Sequence, residues 1–131
     1  MKSGPCNPAG LKQQTYYNHA VARTGQAVFL TGQVAWDVHG NVVGQGDIEA
    51  QAVRIWENIG LALAALEVGP EAVVKLTTYA LSRDAIPALH RARAAFFAGH
   101  ELPASTFVMV AGLADPELLA EIDVTLILPL D

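Results

Sequence analysis

The chain has 131 residues, enough for one hydrophobic core without disulfide or metal staples, so a single domain over residues 1–131 is expected. Hydrophobic residues make up 52% of it and mean hydropathy is +0.30, yet no run approaches the roughly 20 apolar residues of a membrane span, which excludes a membrane partner and leaves surplus apolar surface for subunit contacts. Eight Lys and Arg against thirteen Asp and Glu give a net charge of −5 with the bases scattered, a field that repels phosphate backbones and argues against nucleic acid as a partner.

Met1 to Gly10 carries one Lys, a Cys, two Pro and two Gly with no apolar core. It matches neither a signal nor a transit peptide, and a cytoplasmic location is expected. Cys6 is the single cysteine, set in a Pro- and Gly-rich leader that gives it no catalytic context. Tyr16 to Arg23 and Val28 to Gln33 flank the polar break Thr24-Gly25-Gln26, which reads as a hairpin of two antiparallel strands. A second turn at Asp37-Val38-His39-Gly40-Asn41 precedes Val42 and Val43, a short third strand.

Asp47 is an N-cap, Glu49 suits the positive first turn, and Ile48, Ala52, Ile55, Trp56, Ile59, Leu63 and Leu66 recur at three- and four-residue steps. The spacing predicts a long amphipathic helix, stopped by Gly69-Pro70. Val73 to Leu81 is rich in β-branched residues and reads as a strand. Asp84 is expected to cap a second helix with Pro87 in its first turn, Ile86, Leu89, Ala92, Phe96 and Phe97 on its buried side, and Gly99 at its close. Arg83, Arg91 and Arg93 are the nearest approach to a basic cluster and read as a solvated helix face, from which Arg91 or Arg93 is placed to reach inward.

Leu102 to Ala111 is the stretch that organises the rest. Pro103 fixes its start, Ser105 and Thr106 follow, and an unbroken apolar run from Phe107 to Ala111 reads as a buried strand covered on both faces. Leu119 to Leu128 alternates, with Ala120, Ile122, Val124, Leu126 and Leu128 opposed to Leu119, Glu121, Asp123, Thr125 and Ile127, so Glu121 stands on the more polar face. The order is β-β-(β)-α-β-α-β-β, an α+β fold with a mixed sheet and both helices on one face. The second face is then expected to pack on other copies of the chain.

Several stretches together resemble the Rid family, the reactive intermediate deaminases also called the YjgF family. They are Tyr17-Asn18-His19-Ala20-Val21, Thr31-Gly32-Gln33-Val34, Gly46 to Gln51 running into Glu57-Asn58-Ile59, and Val73 to Thr77 with Phe96-Phe97. Pro103-Ala104 and Glu121-Ile122 complete the set. The resemblance implies a chorismate-mutase-like single domain and a homotrimer whose sheets line a central barrel, with small-molecule pockets in clefts between neighbouring subunits. It implies conversion of reactive enamines and imines to carbonyl compounds and ammonia by water addition to C=N. In the family pattern an Arg directly after Pro-Ala clamps the substrate carboxylate and a Glu on the last strand positions water. Here Ser105 takes the place of that Arg, Phe107 stands where many members carry a small residue or Cys, and His90 stands where many carry Asn.

The resemblance therefore makes Glu121 the candidate catalytic group and Tyr17, Thr31, Gly32, His90, Ser105 and Phe107 the candidate ligand-binding set. No cofactor is expected, and no metal, because no two of His19, His39, His90 and His100 stand three or four residues apart. Two functions follow from these residues. One is imine hydrolysis on a substrate altered by Ser105; the other is a catalytically silent trimer that binds a metabolite or a partner protein. Ser105, His90 and Glu121 do not read as a hydrolase triad, since no G-x-S-x-G elbow surrounds the serine.

Overall fold

The computed structural model describes residues 3–130; Met1, Lys2 and Asp131, and with them the ends of the expected 1–131 domain, lie outside the described residues. Eight main elements follow one another: β1 (Gly4–Cys6), β2 (Ala20–Ala22), β3 (Gln26–Phe29), α1 (Ile48–Ala65), β4 (Val73–Ala80), α2 (Ile86–Phe96), β5 (Ala104–Met109) and β6 (Ala120–Leu128). The main sheet runs β3-β6-β4-β5, antiparallel except for β4 against β5, whose parallel pairing is joined through α2. Among the described residues no helix is long and apolar enough to cross a membrane.

Asp47 caps α1 as its side chain dictates, accepting from the Ala50 N–H at 3.2 Å. The buried stripe of α1, Ala52, Ile55, Trp56, Ile59 and Leu63, packs on Leu76 and Ala80 of β4 and on Ile122, Val124 and Leu126 of β6. The helix stops earlier than Gly69-Pro70. Glu67 takes φ 59°, and the Val68 and Glu67 N–H groups reach back to Leu63 O at 3.1 Å and Ala64 O at 3.0 Å, closing the last turn three residues ahead of the proline. Ser82, and not Asp84, opens the second helical segment: its hydroxyl accepts from the Asp84 N–H at 3.1 Å and caps a single 3-10 turn, Arg83–Ala85, that leads into α2.

The front of the chain departs from the expected hairpin. β2 pairs with β1, a strand inside the supposed leader, while β3 pairs with β6, so Thr24-Gly25-Gln26 joins two different sheets. A β3–β6 partnership buries Val28 and Leu30 against the core, which a local hairpin would not do. Val42 makes only an isolated bridge to Trp36. The turn before it is the one expected: the Asp37 carboxylate accepts from the His39 and Asn41 N–H groups, each at 2.9 Å, and these bonds hold its pKa below the ordinary carboxylate value.

The organising strand is also displaced from its expected place. β5 is an edge strand of the chain, and none of its six residues is fully buried. Ser105, Phe107 and Met109 pair with Leu76, Thr78 and Ala80 and share their helix-covered face; Thr106 and Val108 pair with Thr77 and Tyr79 on the opposite face, where Thr106 and Val108 are exposed and Lys75 Nζ donates to Thr106 Oγ1 at 2.7 Å. An apolar run specifies cover on two sides but does not say that one chain supplies both.

Candidate functional site

Two clusters of polar and aromatic groups form on opposite faces of the main sheet. The first sits on the helix-covered side at the β5 edge. Asn18 builds it by clipping the irregular segment before β2 onto the start of β5: its N–H donates to Pro103 O at 3.0 Å and its Nδ2 to Leu102 O at 2.7 Å. That clip brings Tyr16 over α2. The Tyr16 ring lies 4.7 Å from the His90 ring, Phe107 closes on His90 from β5 at 6.2 Å, and Tyr17 meets Tyr16 edge-on at 5.4 Å.

Under this aromatic mouth lies a residue assigned to the wet face of α2 by its sequence. Arg93 is 5% exposed. Its Nη1 donates to Ser105 Oγ at 3.1 Å, its Cζ stands 5.4 Å from the centre of the Tyr16 ring, and its Nη2 is buried without a protein partner. Arg91, two residues earlier, turns outward and pairs with Glu49. Burial lowers the pKa of His90 below 6.5, and the positive charge of Arg93 lowers it further; both disfavour the charged ring. Burial likewise lowers the pKa of Arg93 below the ordinary guanidinium value, opposed by the nearby Tyr16.

The second cluster lies beyond β4, on the face away from the helices. β6 alternates as its sequence predicts, burying Ala120, Ile122, Val124 and Leu126 and turning Glu121, Asp123 and Thr125 outward. The pairing of the β3 side with β6 slips by one residue between Phe29–Thr125 and the Gln33–Ile122 bridge, which leaves Thr31-Gly32 as a bulge. The Glu121 carboxylate lies against it: a Cβ on Gly32 would stand 2.1 Å from Oε2. Gly32 is needed here for space, since the carboxylate occupies the volume of its missing side chain. Among the described residues Glu121 forms no ion pair.

Gln51 holds this arrangement from inside. It is fully buried, its Nε2 donates to Gly44 O at 3.1 Å and Glu117 O at 3.0 Å, and its Oε1 accepts from the Leu119 N–H at 2.8 Å. Every polar atom of the amide is therefore satisfied, and the loop that delivers β6 is fixed two residues before Glu121.

The candidate residues thus divide. Tyr17, His90, Ser105 and Phe107 belong to the first cluster and Thr31, Gly32 and Glu121 to the second. Two strand spacings, about 10 Å, and the thickness of the sheet separate them, so Ser105 and His90 do not share a pocket with Glu121 inside one chain. Sequence reasoning missed Tyr16 and left Arg93 as one of two arginines able to reach inward from a helix face read as solvated. The i, i+3 spacing of His90 and Arg93 and the i, i+4 spacing of Leu89 and Arg93 place Arg93 beside the buried stripe, a signal outweighed by the usual exposure of arginine. An open groove of about 450 Å³ runs from Thr31 and Gly32 past Trp36 to Asn58 and Leu61, but neither Ser105 nor Glu121 lines it.

Architecture and geometry together define an α+β domain, two helices on one face of a mixed sheet, whose candidate residues gather at an edge strand and at a bulge on the far face. The family model described as Endoribonuclease L-PSP matches residues 9–128. The chain belongs to this family, the Rid or YjgF family. It is 33% identical over 114 residues to the RutC family protein slr0709 of Synechocystis sp., covering 86% of each chain. The crystal structure of YyfB, a protein of unknown function of the Rid family from Yersinia pestis, superposes with a TM-score of 0.89 at 33% identity, covering 95% of this chain and 97% of that one. Rv2704 of Mycobacterium tuberculosis, a YjgF/YER057c/UK114 family member, gives 0.67 at 26% identity over 86% of each.

Proposed function

We propose that the protein hydrolyses the C=N bond of small imines or enamines in a cleft that two copies of the chain build together, within a homotrimer of cytoplasmic subunits. The observation that carries this reading is the division of the candidate site across the sheet. A ligand of a few heavy atoms cannot touch Ser105 and Glu121 of one chain, but a second copy packed on the uncovered sheet face brings its β5 edge to the first copy's Glu121. The apolar groups of that face, Phe29 at 75% exposed and Val108 at 37%, supply the surface such packing would bury.

The chemistry follows from the groups. Glu121 has a carboxylate free of cations, and it accepts a proton from water as the oxygen attacks the imine carbon. The resulting carbinolamine loses ammonia once the proton passes to nitrogen, leaving C=O. Tyr17, His90, Ser105 and Phe107 of the neighbouring copy hold and orient the ligand, and the bulge at Thr31-Gly32 offers backbone groups beside the reacting carbon. RNA cleavage, which the family's description names, finds little support: the net charge is −5, Arg23, Arg54 and Arg91 are tied into ion pairs and Arg93 is buried, which leaves few bases to follow a phosphate chain.

The test generates 2-iminopropionate in place and follows pyruvate for the wild type and Glu121→Gln. The wild type is expected to exceed the protein-free rate, and the variant to fall by about 100-fold or more with its assembly unchanged. Pyruvate formation at the background rate for the wild type, or an undiminished rate in Glu121→Gln, would overturn the reading; the former leaves a binding protein.

A further inference from the structure

Arg93 is the residue that the fold spends most to place and that the proposed reaction has not yet used. A guanidinium is almost never buried without a carboxylate, because its charge loses hydration that a neutral partner restores only in part. Arg23, Arg54 and Arg91 all have carboxylate partners at the surface. Arg93, the buried one, has none among the described residues; its contacts are one hydroxyl and one aromatic face. Its Nη2 has no acceptor among the described residues.

The geometry of the hydroxyl decides what is missing. Ser105 Oγ accepts from Arg93 Nη1 at 3.1 Å, so the hydroxyl proton is directed away from the guanidinium and is free to be donated. Two donors are then left without an acceptor, the Ser105 O–H, polarised by a charge, and the charged Nη2–H of Arg93. Two acceptor atoms held in a plane about 2.2 Å apart, on a group carrying one negative charge, fit that pair; this is a carboxylate. Burial and the Arg93 charge both disfavour the charged form of His90 beside them. The Tyr16 ring roofs the guanidinium from an irregular segment and is itself 38% exposed, so it can turn aside as a ligand enters without disturbing a strand or helix.

From these contacts we infer that Arg93, reaching from α2 through the Ser105 hydroxyl, is the anion-binding residue of this protein and holds the carboxylate of a small monocarboxylate ligand beneath Tyr16. The inference rests on the reading of this mouth as the ligand site, and what it adds is the residue that meets the ligand's charge there, on α2 and not on β5. It assigns Ser105 a definite part: a side chain as long as Arg at position 105 would collide with the Arg93 guanidinium, whereas a serine relays it.

Binding separates this inference from the hydrolysis reading, because it needs no turnover. Pyruvate and its uncharged analogue pyruvamide are titrated by calorimetry and by shifts of the His90 and Tyr16 ring resonances. The wild type is expected to bind pyruvate at least about tenfold more tightly than pyruvamide, the discrimination of one charge-assisted hydrogen bond. Arg93→Met should abolish the preference, whether or not imine hydrolysis is present. Equal binding of the two compounds by the wild type, or binding of neither, overturns the inference without any variant, whatever the hydrolysis assay shows. If neither binds and Arg93→Met also dissociates the assembly, the acceptor is a carboxylate of a neighbouring copy and Arg93 is an interface residue.

Discussion

If each cleft takes its two halves from two copies, variants broken in different halves should repair one another. Glu121→Gln removes the water-activating group from the far face of the sheet; His90→Ala removes a ring from the mouth on the helix side. Each homogeneous variant carries the same defect in every cleft. When the two are co-refolded in equal amounts, each cleft draws its halves independently. The chance that the mouth comes from the Glu121→Gln copy and the carboxylate from the His90→Ala copy is one half times one half, so about one quarter of the clefts are intact and about 25% of wild-type turnover is expected, whatever the ring size. The assay is pyruvate release from 2-iminopropionate by the mixture, with each variant refolded alone as the reference. A site completed within one chain predicts only the mean of the two residual rates. Activity at that mean, with exchange of subunits shown by native mass spectrometry, would refute the argument from opposite sheet faces.

Three further outcomes follow from individual contacts. Gly32→Ala should leave stability within about 1 kcal/mol, because the atom it meets at 2.1 Å is the end of a flexible side chain, but should displace the Glu121 carboxylate and lower turnover by about 100-fold; near-normal turnover would mean that the carboxylate position does not matter. Gln51→Ala strands the Leu119 N–H and the Gly44 and Glu117 carbonyls in the interior, and urea unfolding should show a loss of about 3 kcal/mol; a loss below about 1 kcal/mol would show that the loop finds other partners. The His90 ring should titrate below 6.5 by NMR, and Arg93→Met should raise its midpoint part of the way back, since burial is the larger cause and remains. The sign is fixed by linkage: between the folded midpoint and 6.5 the unfolded chain binds the extra proton, so the contribution of His90 to stability is complete above 6.5 and is lost as pH falls through that window.

The elements most legible in the sequence were those whose pattern is satisfied by local partners. α1 announces itself through a cap and a stripe, β6 through strict alternation, and both lie where the pattern puts them. The front of the chain departs from the expected hairpin because a polar break with glycine between two apolar runs specifies a bend, not the identity of the strand that each run then joins; β2 joins β1 and β3 joins β6. Glu67 was invisible as a stop because its left-handed conformation is imposed by the bonds from Val68 and Glu67 to the last turn, against the preference of the residue itself. The candidate residues were legible as a set only through resemblance, and their division between two faces follows from strand order, which periodicity does not encode.

Arg93 shows the limit most sharply, and its correction changes what position 105 means. Read along the chain, Ser105 is a loss: the charged clamp of the family pattern is gone, and a neutral hydroxyl stands in its place. Read across the fold, the charge stands one helix away and uses that hydroxyl as its outlet. The two positions are twelve residues apart and their side chains meet at 3.1 Å, so each explains the other: a buried guanidinium at 93 needs a small acceptor at 105, and a serine at 105 leaves the mouth without charge unless an arginine reaches it. It follows that Ser105→Arg should not restore the family's clamp. Two guanidinium groups would contend for one buried space, and the variant should lose stability and pyruvate binding together, whereas the double variant Ser105→Arg with Arg93→Ala should recover both. A single variant that binds pyruvate more tightly than the wild type would show that Arg93 had been a bystander.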